Sequence, residues 1–420
     1  MATIRTRILP YTAFVRLVEG GGRITIARGN LGTLQNDIVT AGVHPQGQIL
    51  VEPDLSTLRL AQSKDPIDAA TVIASLRTED GKPLPSCPRS TLQKLVSSFE
   101  RDCDLHFQAG FEIELVLLQR LPGEGNSLNY EPSDTNHAWS TLTPEQYSRT
   151  IPILAEIVTE LANIDIHILQ FHSESGPGQY ELILPPLPLV TAIDTLVQAR
   201  QVMYQIVHSH GLRATLHPTP LSNVGSGQHV HISLHSNSMS HQELEEREMS
   251  FFASVLEHLS SICAFSLPNE MSYERVKDDM WTGGTWCCWG TQNREVPLRR
   301  VNAGHWEIRC FDGFANPYLA LSALLAAGLV GLRDSVEMNS KDCGENPARL
   351  TKDQRNESGI VEKMPSGLDE ALDALESDVS LEEMLSSDLI ENFVAMKRAE
   401  KEMLNRMPKS QRQSWLIERY

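Results

Sequence analysis

Apolar and polar residues alternate with a period of two at several separated points of the chain. The clearest cases are Gly110-Phe-Glu-Ile-Glu-Leu, Gly227-Gln-His-Val-His-Ile-Ser-Leu and His305-Trp-Glu-Ile-Arg. Residues i and i+2 of a β-strand face the same side. Glu112 with Glu114, His229 with His231, and Glu307 with Arg309 therefore each present two polar side chains on one surface. Phe111, Ile113, Leu115, Val230 and Ile232 interleave with them, so these faces are backed by core rather than wet on both sides. Glu174 and Glu181 flank Gly176-Pro-Gly178, a turn signal between two more such runs. Ile4 to Leu9 and Gln48 to Glu52 also read as short strands.

Other segments carry helical spacing. A helix is expected near Arg89 to Phe99. Another follows Thr143, Pro144 and Gln146, which have the spacing of a capping box with proline at the first helical position, and runs through Ile153, Leu154, Ile157, Val158 and Leu161. A third spans about 190–210 over Leu196, Val202 and Ile206 and stops at Gly211, and a fourth covers about 241–262. The tail from about 366 is helical, with Ser380 to Glu383 as a capping box. Phe314 to Leu332 is uncharged and long enough to approach a membrane span, but its small residues with Asn316, Pro317 and Ser322 point to a buried core helix. Pro122 to Thr141 is polar and turn-rich and reads as a surface loop. Three prolines between Lys82 and Arg89 mark a connector. Residues 1–85 form a small α+β domain, and the rest a larger unit of mixed strands and helices.

With 420 residues, 41% of them hydrophobic, the chain can bury a large core. A net charge of -18 argues against general nucleic-acid binding, which needs basic surface. The seven cysteines form no C-x-x-C pair and read as free thiols in a reducing, cytoplasmic setting, against disulfides or a zinc ribbon.

Five carboxylates and one imidazole, Glu112, Glu114, Glu174, Glu181, Glu307 and His229, suit Mg²⁺ or Mn²⁺ better than zinc. Arg275, Arg294, Arg299 and Arg309 lie near the same strands. Carboxylates for metals with guanidinium groups for anions are the equipment of phosphoryl transfer.

In order and spacing, G-F-E-I-E, E-S-G-P-G-Q-Y-E, G-S-G-Q-H-V-H-I-S-L, N-R-E-V-P-L-R and E-I-R-C-F-D-G-F-A-N-P-Y-L-A-L-S-A-L-L-A-A-G-L resemble the catalytic domain of the glutamine synthetase family. The ending, Trp415 to Tyr420, resembles that of its shorter, fungal-type synthetase-like members. The resemblance implies a truncated β-grasp-like N-terminal domain over 1–85, lacking its first strand, with Ile4 to Pro10 as the second. Over 86–420 it implies a curved antiparallel sheet with outer helices. It implies a first metal site at Glu114, Glu174 and Glu181 and a second at Glu112, His229 and Glu307. His231, Arg294 and Arg299 would meet the nucleotide phosphates, and Gly225, Arg275 and Arg309 the substrate amino acid. The implied reaction is ATP-dependent activation of glutamate to an acyl phosphate, followed by attack of ammonia or an organic amine, with two Mg²⁺ or Mn²⁺ ions, in a homo-oligomeric ring serving nitrogen metabolism. Neither nucleic acid nor membrane is implied as a partner.

The chain departs from that pattern on the amine side. The family's loop glutamate, six residues after Arg275, is Trp281, whose indole accepts no proton. Asp278 and Asp279 are offset substitutes. Val224 stands where the family has asparagine, with Asn223 one residue earlier, and His305 replaces an arginine. No D-G-S-S-type loop occurs in the N-terminal part; Val51 to Leu58 resembles only the strand that follows such a loop. Two alternatives of other classes are a catalytically silent homologue kept for assembly or signalling, and a guanidino kinase.

Overall fold

A computed structural model describes residues 3–40, 46–60, 69–122, 128–135, 138–221 and 224–420. The strand His106–Pro122, 17 residues long, is its axis. Around it a ten-stranded sheet runs in the order Trp289–Thr291, Leu298–Asn302, His305–Ile308, Val230–His235, His106–Pro122, Gln179–Ile183, Gln170–Ser173. Leu128–Pro132, Leu187–Pro188 and Arg213–Thr215 also pair with the axial strand. The pairings are antiparallel except that Trp289–Thr291 runs parallel to Leu298–Asn302.

Register matters more than order here. Glu114 lies opposite Glu181, and Glu181 opposite His172. Arg299 lies opposite Glu307, and Glu307 opposite His231. Two rows of polar residues, far apart in sequence, thus cross the sheet on one face. On the other face Phe111, Ile113 and Leu115 are fully buried. Helices Leu189–Ser209, His241–Glu257 and Pro317–Asp334 take part in that core, and Phe99, Phe107 and Phe251 form an aromatic cluster in it. Burying each such ring contributes about 1.5–3 kcal/mol. Helix Pro317–Asp334 is the one described helix apolar and long enough to cross a membrane, and 78% of it is buried inside the protein. Gly328 lets it meet His241–Glu257 closely, since a Cβ there would stand 2.0 Å from Phe251.

Several expected elements form as read. The Thr143 capping box is complete and starts helix Pro144–Asn163. Helix Pro88–Ser98 follows the proline connector, and Gly211 takes φ +75 just past helix Leu189–Ser209. All seven cysteines are free. Ahead of the large sheet, Ile24–Ala27, Gln48–Pro53 and Ala74–Arg77 form a three-stranded sheet. Arg89 ties it to the rest, pairing at 2.7 Å with both Asp54 and Asp194.

Other expectations fail for identifiable reasons. Residues 4–9 are not a strand: Thr3 to Pro10 is irregular and exposed, and helix Tyr11–Glu19 follows Pro10. Arg5 holds this segment through the carbonyls of Thr33 and Leu34 instead of a ladder. The helix expected over 241–262 is two, His241–Glu257 and Leu259–Ser266, bent by 76°. His258 lies at the bend, 2.7 Å from Asp378. Helix Val379–Leu385 is capped by Asp378, which accepts from Leu381 N–H, so Ser380 lies inside the helix. The loop expected from 122 to 141 contains strand Leu128–Pro132, which folds back on the axial strand as a hairpin. Asn223 lies outside the described residues.

Candidate active site

The polar face of the sheet gathers the carboxylates into two trios. One ligand atom from each of Glu112, His231 and Glu307 lies within 4.8 Å of the others, and the same holds for His172, Glu174 and Glu181. His229 joins the first trio to the axial strand: its Nδ1 is 3.2 Å from Glu112, 3.4 Å from Glu307 and 3.8 Å from Glu114. Glu114 is anchored by Gln179 Nε2 at 3.0 Å and Gly227 N–H at 2.8 Å. Gly227 has no room for a side chain, because a Cβ would lie 2.9 Å from His229 Nε2, 3.1 Å from Glu114 and 3.2 Å from Arg275.

Charge in this cluster is compensated at Glu112 and Glu307 but not at Glu174 and Glu181. Burial first, then the neighbouring Glu112, Glu114, Glu174 and Glu307, pushes the Glu181 carboxyl up to about 10. Burial and Glu114 push Glu174 up to about 7. Burial would also raise Glu112, but hydrogen bonds from His229 and His231 hold it well below the usual carboxylate range. Burial lowers His172, favouring the neutral imidazole that a metal ligand must be. His229 Nε2 is buried with no hydrogen-bond partner among the described residues. Converging carboxylates that repel one another, next to an unpartnered imidazole nitrogen, fit one or two hard divalent cations.

The arginines divide. Arg299 grips Glu307 at 2.7 Å, and Arg309 grips its other oxygen while donating at 2.7 Å to the Trp281 carbonyl. Arg275 is buried beneath the 224–227 segment, in contact with Gly225, and donates to the carbonyls of Arg309 and Phe311. Arg294 stands exposed on the turn between Trp289–Thr291 and Leu298–Asn302, apart from these pairings. Trp281 is 71% exposed. Neither proposed substitute acid is free: Asp278 accepts from Thr285, and Asp279 from Asn346 and Arg349. His305, in the place of an arginine, lies 2.8 Å from His231 Nδ1.

Two residues escaped the sequence reading. His172 stands two positions before Glu174, a spacing as informative as the others. Gln179, inside the quoted E-S-G-P-G-Q-Y-E, bridges Glu114 and the Gly225 carbonyl.

A cavity of about 670 Å³ opens beside Glu112 and His231, lined further by Ser233, Leu184, Gly304 and His305. The family described as glutamine synthetase, catalytic domain, matches residues 85–420. The chain belongs to the glutamine synthetase family. Members of this family are ligases that form C–N bonds, act on small molecules and generally use ATP and divalent metals. Among synthetase-like relatives, the chain is 42% identical over 422 residues to Protein fluG of Emericella nidulans, covering 100% of this chain and 47% of that protein. It thus spans about half the length of that relative. A gamma-glutamylpolyamine synthetase of Streptomyces coelicolor is 29% identical over 377 residues, 85% of this chain and 78% of that protein. The crystal structure of a novel glutamine synthase homolog superposes with a TM-score of 0.80 at 27% identity, covering 99% of this chain and 95% of that one. A synthetase-type fold, mixed in helix and sheet, is therefore common to both.

Proposed function

We propose that this chain is an ATP-dependent carboxylate–amine ligase that activates glutamate as an acyl phosphate and joins it to ammonia or an organic amine. The observation that carries the reading is the pair of cross-strand rows, His172–Glu181–Glu114 and Arg299–Glu307–His231, on one face of the sheet. Nothing in packing calls for five converging glutamates; cations do.

Glu114, Glu174 and Glu181, with His172, would hold one Mg²⁺ or Mn²⁺, and Glu112, His229 and Glu307 another. The ions would supply neutralisation of phosphate oxygens during phosphoryl transfer. The cavity beside Glu112 and His231 is large enough for a nucleotide and has His231 at its edge. Arg294, exposed on its turn and engaged in no ion pair among the described residues, can reach toward a phosphate. Arg299 and Arg309 already hold Glu307 and can share their remaining donors with phosphate and substrate carboxylate. Arg275 keeps the Gly225 segment, the proposed floor for the amino acid, in place. The polyamine-conjugating relative supports a large amine, and exposed Trp281 offers an aromatic face for it.

The same reading keeps residues 1–85 as an N-terminal domain, whose exposed Ile8, Tyr11, Val18 and Leu60 suit assembly into a ring, and a cytoplasmic location in keeping with free cysteines. The test is to incubate the protein with Mg²⁺, ATP, glutamate and a panel of amines and follow phosphate release together with the γ-glutamyl product. Product with any amine supports the ligase. No turnover with the whole panel would favour the silent homologue.

A further inference from the structure

The loop after Arg275 has lost the family's glutamate to Trp281, yet a carboxylate stands against the same point of the backbone. Glu295, on the turn leading into strand Leu298–Asn302, accepts the Trp281 N–H at 3.1 Å through Oε1. Its Oε2 is shut off from solvent and has no hydrogen-bond partner among the described residues. A buried carboxylate oxygen without a donor is unfavourable, and an N–H satisfies it.

The position is held from several sides. Trp281 takes φ +55, unusual for a bulky residue. Its N–H goes to Glu295 and its carbonyl accepts from Arg309 at 2.7 Å, the guanidinium that also grips Glu307. Gly284, at φ +62, lets the loop lie on the Glu295 backbone, since a Cβ there would stand 2.4 Å from the Glu295 carbonyl. The Glu295 N–H is fixed by Asn293 at 2.9 Å. Glu295 is thus linked through one residue, Trp281, to the arginine at the carboxylate cluster. Asp278 and Asp279, the other acids of the loop, are engaged by Thr285 and by Asn346 and Arg349.

We propose that Glu295 is the proton acceptor for the amine, supplying from the neighbouring turn the carboxylate that the loop lacks, with a protonated primary amine as the substrate class. The proposal rests on the ligase reading above. One proton of R–NH₃⁺ passes to Glu295 Oε2, and the freed nitrogen lone pair attacks the acyl carbon. The C–N bond forms, the bond from that carbon to the phosphate oxygen breaks, and the second proton leaves with inorganic phosphate. Glu295 then passes its proton to the departing phosphate.

The test compares the wild type with Glu295→Gln, whose amide oxygen still accepts the Trp281 N–H but is not basic. Each is assayed with ethylamine and with hydroxylamine, which is mostly neutral at pH 7 and needs no base. The variant is expected to lose about a hundredfold in ethylamine turnover while hydroxamate formation stays within about threefold. Equal ethylamine turnover overturns the proposal. So does equal loss with both nucleophiles, which would make Glu295 only a support for the loop. Absence of hydroxamate formation by the wild type would instead remove the ligase reading. Calorimetric binding of ethylammonium then decides for Glu295: affinity at least tenfold weaker in Glu295→Gln supports it, and unchanged affinity or no binding by the wild type overturns it.

Discussion

Each glutamate of the cluster is placed by the residue on either side of it. Ile113 sits in the core between Glu112 and Glu114, so neither carboxylate can turn away without exposing an apolar side chain or slipping the strand by one residue. That rigidity sharpens the first prediction. Glu181→Ala should lower ligase turnover by more than about a hundredfold, because a proposed metal ligand is lost. The metal-free variant should melt no lower than the metal-free wild type, since the deletion removes a carboxyl whose ionisation burial and its neighbours oppose. A lower melting point with retained turnover would mean that Glu181 is a structural group. Trp281→Glu tests the amine side: the account expects ammonia-dependent turnover to rise, and no rise would mean that this position alone does not explain the departure from the family pattern.

Strands rather than helices carry the site, and this is why so much of it was readable. A period of two puts Glu112 and Glu114, His229 and His231, or Glu307 and Arg309 on one face whatever the rest of the fold does. Register is a different matter, because which residue lies opposite which depends on how separate segments pair, as Glu114 does with Glu181 and His231 with Glu307. Register is what sets His172 opposite Glu181, a placement that its spacing to Glu174 alone does not give. Glu295 went unnoticed because a turn residue has no period to announce it. The N-terminal strand failed for the complementary reason: Ile4 to Ile8 alternates correctly but finds no partner strand among the described residues, and alternation alone forms no ladder. Helix packing yields its own prediction. Gly328→Ala would drive a methyl into Phe251 and should destabilise the protein by about 1–3 kcal/mol in urea unfolding. No loss of stability would show that the contact between His241–Glu257 and Pro317–Asp334 is looser than described.

For the molecule as a whole, the site is a source of instability that the proposed cations would reverse. In the metal-free protein Glu174 and Glu181 hold protons in the folded state at pH values where the unfolded chain has released them. The folded state therefore binds more protons, and stability falls as pH rises. For Glu174 the fall extends from the unfolded carboxylate pKa to about 7, and for Glu181 to about 10. Thermal melts of metal-free protein between pH 6 and 9 should show this decline, and saturating Mg²⁺ should flatten it while raising the melting temperature. A pH-independent melting temperature without metal would contradict the description of the cluster.

The most direct test counts the ions. Titrating metal-free protein with Mn²⁺ and following the free ion by electron paramagnetic resonance should give two bound per chain, with Glu181→Ala losing one. Binding no greater than that of a surface of scattered acids, or unchanged in the variant, would contradict the claim that these strands converge on a pair of divalent cations.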